Sequence, residues 1–314
     1  MGRYLTVRFA QALIVLWAAF TLAFILLQAL PGDAVLIKFQ NPELGLSADQ
    51  IAQLRLAYGS DVPLLTQYFH AIGSLLHGNF GISLQSGLPV AELLAENVPP
   101  TLLLAALGLV TSVILAFLIA GFAFMSPFQR LRAALHSLPS LFISIPTFWL
   151  GIVLIQIFSF QLGLIPVINP GEWEGLILPT LTLALPISAP LAQILMRSIE
   201  QVQTQPFVAV ARAKGASRLG VLWRHVIGNA LPPTVTVAGL LLGELLAGAL
   251  VTETVFGRSG LGQLTQEAVN TQDSSVLQAI VVISAAAFVV INLLIDLLYP
   301  LLDPRLKNTT GVAS

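Results

Sequence analysis

Six stretches of this chain, 9–30, 101–125, 135–160, 177–196, 231–252 and 277–302, are apolar for about the 20 helical residues that cross a bilayer's hydrocarbon core. In that core a segment must pair its own backbone N–H and C=O groups, so each run is restricted to helix. The first four runs carry no charge, the fifth holds only Glu244 and the sixth only Asp296. Pro179, Pro186 and Pro190 interrupt the fourth, which is expected to be a kinked span. The expected fold is all-α, a single six-span membrane domain over residues 1–314. Only 9% of its residues are charged, as in a polytopic membrane protein, and with no repeat or low-complexity tract and one long inner segment no attached soluble catalytic domain is expected.

The Lys and Arg residues set an orientation. With the N-terminus inside, Arg3, Arg8, Arg130, Arg132, Arg197, Arg212, Lys214, Arg218, Arg224, Arg305 and Lys307 are cytoplasmic, and only Lys38, Arg55 and Arg258 lie outside. This positive-inside bias places both termini in the cytoplasm. The uncharged run after Arg8 exceeds the roughly 7–15 apolar residues of a signal-peptide core, so the first span is expected to be retained. The chain has no cysteine and therefore neither disulfides nor thiolate metal sites. Its formal net charge of −1 gives no reason to expect a nucleic-acid partner.

Residues 31–100 form the expected extracytoplasmic segment. Ser47 and Gln50 have capping-box spacing ahead of an apolar stripe at Ile51, Leu54 and Tyr58, and 64–76 is a second amphipathic stretch. Both read as surface helices. His70 and His77 could share a face of the second, but two histidines without further ligands read as surface residues, so no metal site is assigned.

The cytoplasmic loop 199–230 concentrates Arg212, Lys214, Arg218, Arg224 and His225 without an acid between Phe207 and Pro233. Pro206 suits the first position of a helix, Phe207, Val210 and Ala211 are expected on one face, Gly215 breaks the chain, and Ser217 can cap a second helix. Four bases would serve as a topology anchor alone. An Ala-rich, Gly-punctuated short helix between two spans goes beyond that and points to a protein-docking element.

Ala211-Arg212-Ala213-Lys214-Gly215, with Arg224-His225 and Asn229-Ala230-Leu231-Pro232, resembles the cytoplasmic loop of permeases from the dipeptide/oligopeptide/nickel branch of ABC importers. The likeness extends to Pro31-Gly32-Asp33, GNFGIS at 78–83, Pro146–Gly151, Thr252-Glu253-Thr254-Val255-Phe256, Gly260-Leu261-Gly262, 292–296 and Asp303-Pro304-Arg305. Arg258-Ser259 departs from the family's Trp-Pro, and Asp273–Val276 lacks its proline. The resemblance implies an inner-membrane permease whose loop is a coupling helix seated on an ATPase subunit. It further implies a second homologous permease, two cytoplasmic ATPases holding ATP and Mg, and an extracytoplasmic binding protein. Cargo would be peptides, nickel or a metal chelate such as a metallophore, and this chain itself would bind no cofactor. The sequence agrees on one point: it contains no GxxxxGK[ST].

Gly239, Gly243 and Ala247, at four-residue spacing in the fifth span, form a small-residue stripe for close helix packing, within the chain or against a second permease. Glu244 beside them, and Glu253 at the span's end, are candidates for the pathway or a helix interface, because an intramembrane acid costs at least about 2.5 kcal/mol unless it meets something polar. Asp296, near the inner end of its span, lies within reach of water or Arg305. Two alternatives remain: an intramembrane enzyme, for which His136 has no evident Ser partner, and a proton-driven carrier, which would show repeats and more intramembrane acids.

Overall fold

The computed structural model describes the backbone of residues 2–29, 50 and 62–302, and the side chains of 6–27, 50 and 62–293. Ser47, the 51–58 stripe, Pro31-Gly32-Asp33, Asp303-Pro304-Arg305 and the side chain of Asp296 lie outside these residues. The described chain is helical apart from its connections and one isolated β-bridge between Ile82 and Pro89.

The helices are α1 (Gly2–Ala29), α2 (Leu64–Leu76), α3 (Val90–Met125), α4 (Gln129–Ser144) and α5 (Thr147–Leu154), the last running on as a π-helical turn, Ile155–Gln161. There follow α6 (Glu174–Gln203), α7 (Pro206–Ala213) and α8 (Arg218–Val221), which passes through a second π-helical turn, Leu222–Val226, into α9 (Ile227–Phe256). The chain ends with α10 (Leu261–Asn270) and α11 (Ser274–Leu302).

Among the described residues, five helices are long and apolar enough to cross a membrane, with α4 and α5 as a sixth span if that pair is counted as one. The pair bends by 104°. Its cause is local: the residue before a proline is pushed out of the α region, and Ile145, ahead of Pro146, is extended at φ −93°, ψ 121°. Elsewhere the helices outrun the apolar stretches. α3 starts at Val90 and continues through Pro99 and Pro100, and α6 is unbroken across Pro179, Pro186 and Pro190.

The chain divides into two compact units, Met1–Pro100 with Ser259–Val289, and Thr101–Arg258 with Val290–Ser314. In the second unit α6 is the central element. Leu183, Ile187, Leu191, Leu195 and Ile199 repeat every four residues, and all are buried with Leu104, Ala116 and Ala120 of α3 and Leu245 and Ala249 of α9. Gly108 and Gly248 admit the Leu183 side chain, and a Cβ at either would lie 2.7 Å from one of its methyl groups. Ser112 ties α3 to α6 by donating to the Ala184 carbonyl at 3.1 Å. At the other end, Arg258 reaches back 83 residues and its Nη1 donates to the Gly175 carbonyl at 2.9 Å.

In the first unit Tyr68 of α2 packs against Phe20 and Phe24 of α1, and its hydroxyl lies 2.7 Å from that of Thr21. A short hairpin follows α2. Ser83 N–H donates to the Leu88 carbonyl at 2.9 Å, and Val90 N–H to the Gly81 carbonyl at 3.0 Å. Ser83 is buried against Asp273, at the junction of α10 and α11, and donates its hydroxyl to Asp273 Oδ2 at 2.6 Å.

Candidate functional site

The basic loop folds into a well-defined turn-helix-turn. Gln205 leaves α6 in an extended conformation, and Pro206 occupies the first position of α7, where a missing N–H is not needed. The helix then stops at Gly215. Ala216 N–H donates to the Ala211 carbonyl at 3.2 Å and Gly215 N–H to the Arg212 carbonyl at 3.0 Å, the paired bonds of a Schellman motif. That motif needs a left-handed residue after the cap, and Gly215 supplies it at φ +84°. The space around Gly215 is open, so backbone conformation is its whole requirement. Ser217 caps the next helix, accepting the Gly220 N–H at 3.1 Å.

The two faces of α7 differ from the sequence expectation. Val208 and Ala211 point inward and are buried, whereas Phe207 and Val210 are about half exposed. Phe207, Val210 and Ala211 therefore do not share one face. The eight-residue helix carries apolar residues on both sides, and tertiary burial chose the pair Val208 and Ala211. These two belong to the same buried cluster as Leu195 and Ile199 of α6, Val221 of α8, and Leu222 and Val226 of the following turn. The inner face of α7 is thus sealed onto the ends of two long helices.

The outer face is bare. Phe207 and Val210 of α7 are exposed, as are Leu219 and Trp223 further along the loop, and so are Arg212, Ala213, Lys214, Gly215, Arg218 and Arg224. Arg212 Nη2 donates to Gln203 Oε1 at 3.3 Å, and His225 is half-buried. Trp223, at 64% exposure, was not picked out by sequence reasoning, although a tryptophan within a basic loop is a visible signal. α8, the π turn and α9 run together for 39 residues, about 58 Å at 1.5 Å per residue, against a core of about 30 Å. Helix length alone thus carries part of this element past the hydrocarbon.

The second group of candidates lies on α9. Leu245, Ala249 and Thr252 are buried, as is Glu253, which is 1% exposed in the last turn. Leu240, Glu244, Ala247, Val251 and Thr254 form an exposed strip at alternating spacings of four and three. The stripe of small residues is divided between these sides: Gly239 is buried, Gly243 half-buried and Ala247 exposed. Close intrachain packing is seen at Gly248, where an added Cβ would lie 2.7 Å from a Leu183 methyl. Glu244 lies about 18 Å from the Phe256 end of its helix, well inside an apolar span.

Other sequence candidates sit apart. His70 and His77 are exposed, with His77 Nδ1 2.8 Å from the Gly73 carbonyl, and no group of three or more potential metal ligands occurs among the described residues. His136 Nε2 lies 3.6 Å from Glu200 Oε1, joining α4 to α6.

Five candidate spans among the described residues, six if α4 and α5 count as one, and a short helix packed at the end of α6 are the architecture of a polytopic membrane protein. Residues 93–308 match the family model for the inner membrane component of binding-protein-dependent transport systems, and the chain belongs to that family. It is an ABC importer permease. Among its relatives are the glutathione transport system permease protein GsiC of Escherichia coli (strain K12), 34% identical over 98% of this chain and 99% of that one, and the "probable peptide ABC transporter permease protein y4tP" of Sinorhizobium fredii, 33% identical over 98% and 100%. Among solved structures, an inward-facing MetNI methionine ABC transporter shares the fold, with TM-score 0.56 and 20% identity over 67% of this chain and 96% of that one.

Proposed function

We propose that this chain forms half of the translocation pathway of an ATP-driven importer for peptide-like cargo, with α7 as the helix through which cytoplasmic ATPase subunits move it. The observation that carries this reading is the contrast between the faces of α7. Val208 and Ala211 are locked to α6 and to the root of α9, while Phe207 and Val210 stand free for a partner. A push on such a helix reaches both spans at once, because close-packed interiors transmit displacement rather than absorb it.

On this reading ATP and Mg are held by the partner subunits. A second permease completes the pathway, and the exposed strip of α9 faces it or the cargo channel between the two. Glu244 supports that placement, since an acid in the apolar span is stable only beside water or a polar partner. Both termini are cytoplasmic, and a binding protein delivers cargo from outside. The names of the relatives favour peptide or glutathione-like cargo, and neither they nor the described residues add support for nickel or a metallophore.

The test is reconstitution of the permease pair and ATPases in liposomes with the binding protein. Glutathione and short peptides should accumulate only with ATP and the ATPase subunits. Uptake driven by a proton gradient without those subunits would replace this reading with a carrier.

A further inference from the structure

Asp273 is 1% exposed, and its carboxylate is held by three donors. Oδ2 accepts the Ser83 hydroxyl at 2.6 Å and the Gln85 N–H at 3.2 Å, while Oδ1 accepts the Val276 N–H in the first turn of α11 at 3.3 Å. Its own N–H donates to the Ala268 carbonyl of α10 at 2.8 Å. One residue thus closes α10, caps α11 and holds a hairpin 190 positions earlier in the chain. The hairpin is organised around the same contact. Ser83 Oγ accepts the Ser86 N–H at 3.1 Å, and Gly81, left-handed at φ +83°, brings the backbone against Ser275. Ser83 is itself 2% exposed, so water does not compete for the bond. One of the donors is a first-turn N–H of α11, at the helix end where a negative charge is favoured.

We propose that Asp273 is a positioning residue for transport. It makes the hairpin 78–89 and the start of α11 one rigid element, so a displacement of this last span carries the hairpin with it. The inference rests on the reading of the chain as an importer permease, in which the hairpin lies on the side that meets the binding protein. A cap alone would need only Oδ1. The second oxygen, buried and spent on Ser83 and Gln85, is what a mechanical joint adds.

The chain lacks cysteine, so spin labels can be placed at Leu88→Cys on the hairpin and Val281→Cys on α11, both exposed. In the full complex, the distance between them should be single and narrow, and unchanged between nucleotide-free and ATP-analogue states. Ser83→Ala, which removes one hydroxyl, and Asp273→Asn, which can keep the cap, should broaden it. Uptake should fall about tenfold, the scale of one lost charge-assisted bond to a buried group, while ATP hydrolysis without binding protein stays unchanged. A distance that shifts with nucleotide in the unmodified background overturns the proposal. So does a distance that stays narrow in both variants, full uptake by variants whose distance has broadened, or hydrolysis that falls in step with uptake. Failure of the unsubstituted complex to import with ATP would instead count against the importer reading.

Discussion

Gly248 of α9 takes one methyl of Leu183 of α6 into the space its missing Cβ would fill, and Gly108 of α3 takes the other. Leu183 is therefore wedged between two helices that have no side chain where they meet it. Gly248→Ala or Gly108→Ala alone crowds one methyl of the leucine, which can still rotate about its side chain, and each should cost about 1–3 kcal/mol. Together they leave no escape, so the double substitution should cost more than the sum, and adding Leu183→Ala should recover part of it. Equilibrium unfolding in detergent micelles checks the non-additivity.

Gly215 is required for its left-handed conformation. Gly215→Ala meets open space and should cost only about 1 kcal/mol, leaving uptake reduced but measurable. Gly215→Pro cannot adopt φ +84° and also removes the N–H that closes α7, so uptake should vanish while membrane insertion persists. Uptake assays beside a fractionation control separate the two outcomes.

The exposed residues of α7 divide into apolar and charged ones, and under the proposed coupling role these have different consequences. Phe207→Ala should raise the dissociation rate of the ATPase subunit, because exposed aromatics act as anchors once buried in a partner. Arg212→Glu should chiefly slow association and remove part of its salt dependence, and it should abolish uptake with insertion intact. Association kinetics of the ATPase with the permease in nanodiscs, over a range of salt, measure both. Identical effects of the two substitutions would contradict this division.

Glu244 should behave as an acid needed by the assembly rather than by the chain. Glu244→Leu removes an intramembrane charge worth at least about 2.5 kcal/mol against insertion, so the variant should insert as well as the natural chain. Uptake should nevertheless fall sharply, with Glu244→Gln intermediate. Full uptake by the leucine variant would place Glu244 away from both pathway and interface.

The spans were legible because hydrocarbon admits little except uncharged helix. Their ends were not. α3 begins at Val90 and the α8–α9 run at Arg218, since helix continuing into water leaves no hydropathy signal. Pro146 marked where the helix breaks, at Ile145, but a local signal does not give the size of the turn, 104°. In the coupling loop, Pro206, Gly215 and Ser217 announced the helix limits by local chemistry. The facing of α7 escaped because Phe207 with Val210, and Val208 with Ala211, fit an eight-residue amphipathic helix equally well. The joint between Ser83 and Asp273 could not be read at all, since nothing local in either residue names a partner 190 positions away.

The most direct measurement is site-specific cross-linking from the outer face of α7. The chain contains no cysteine, so Val210→Cys gives a single reactive position. In the assembled complex it should cross-link to the ATPase subunit and lose its reactivity toward a soluble thiol reagent, and removing the ATPase should restore that reactivity. A Val210→Cys side chain that stays freely labelled in a complex competent for ATP-driven uptake would show that α7 is not where the motor engages.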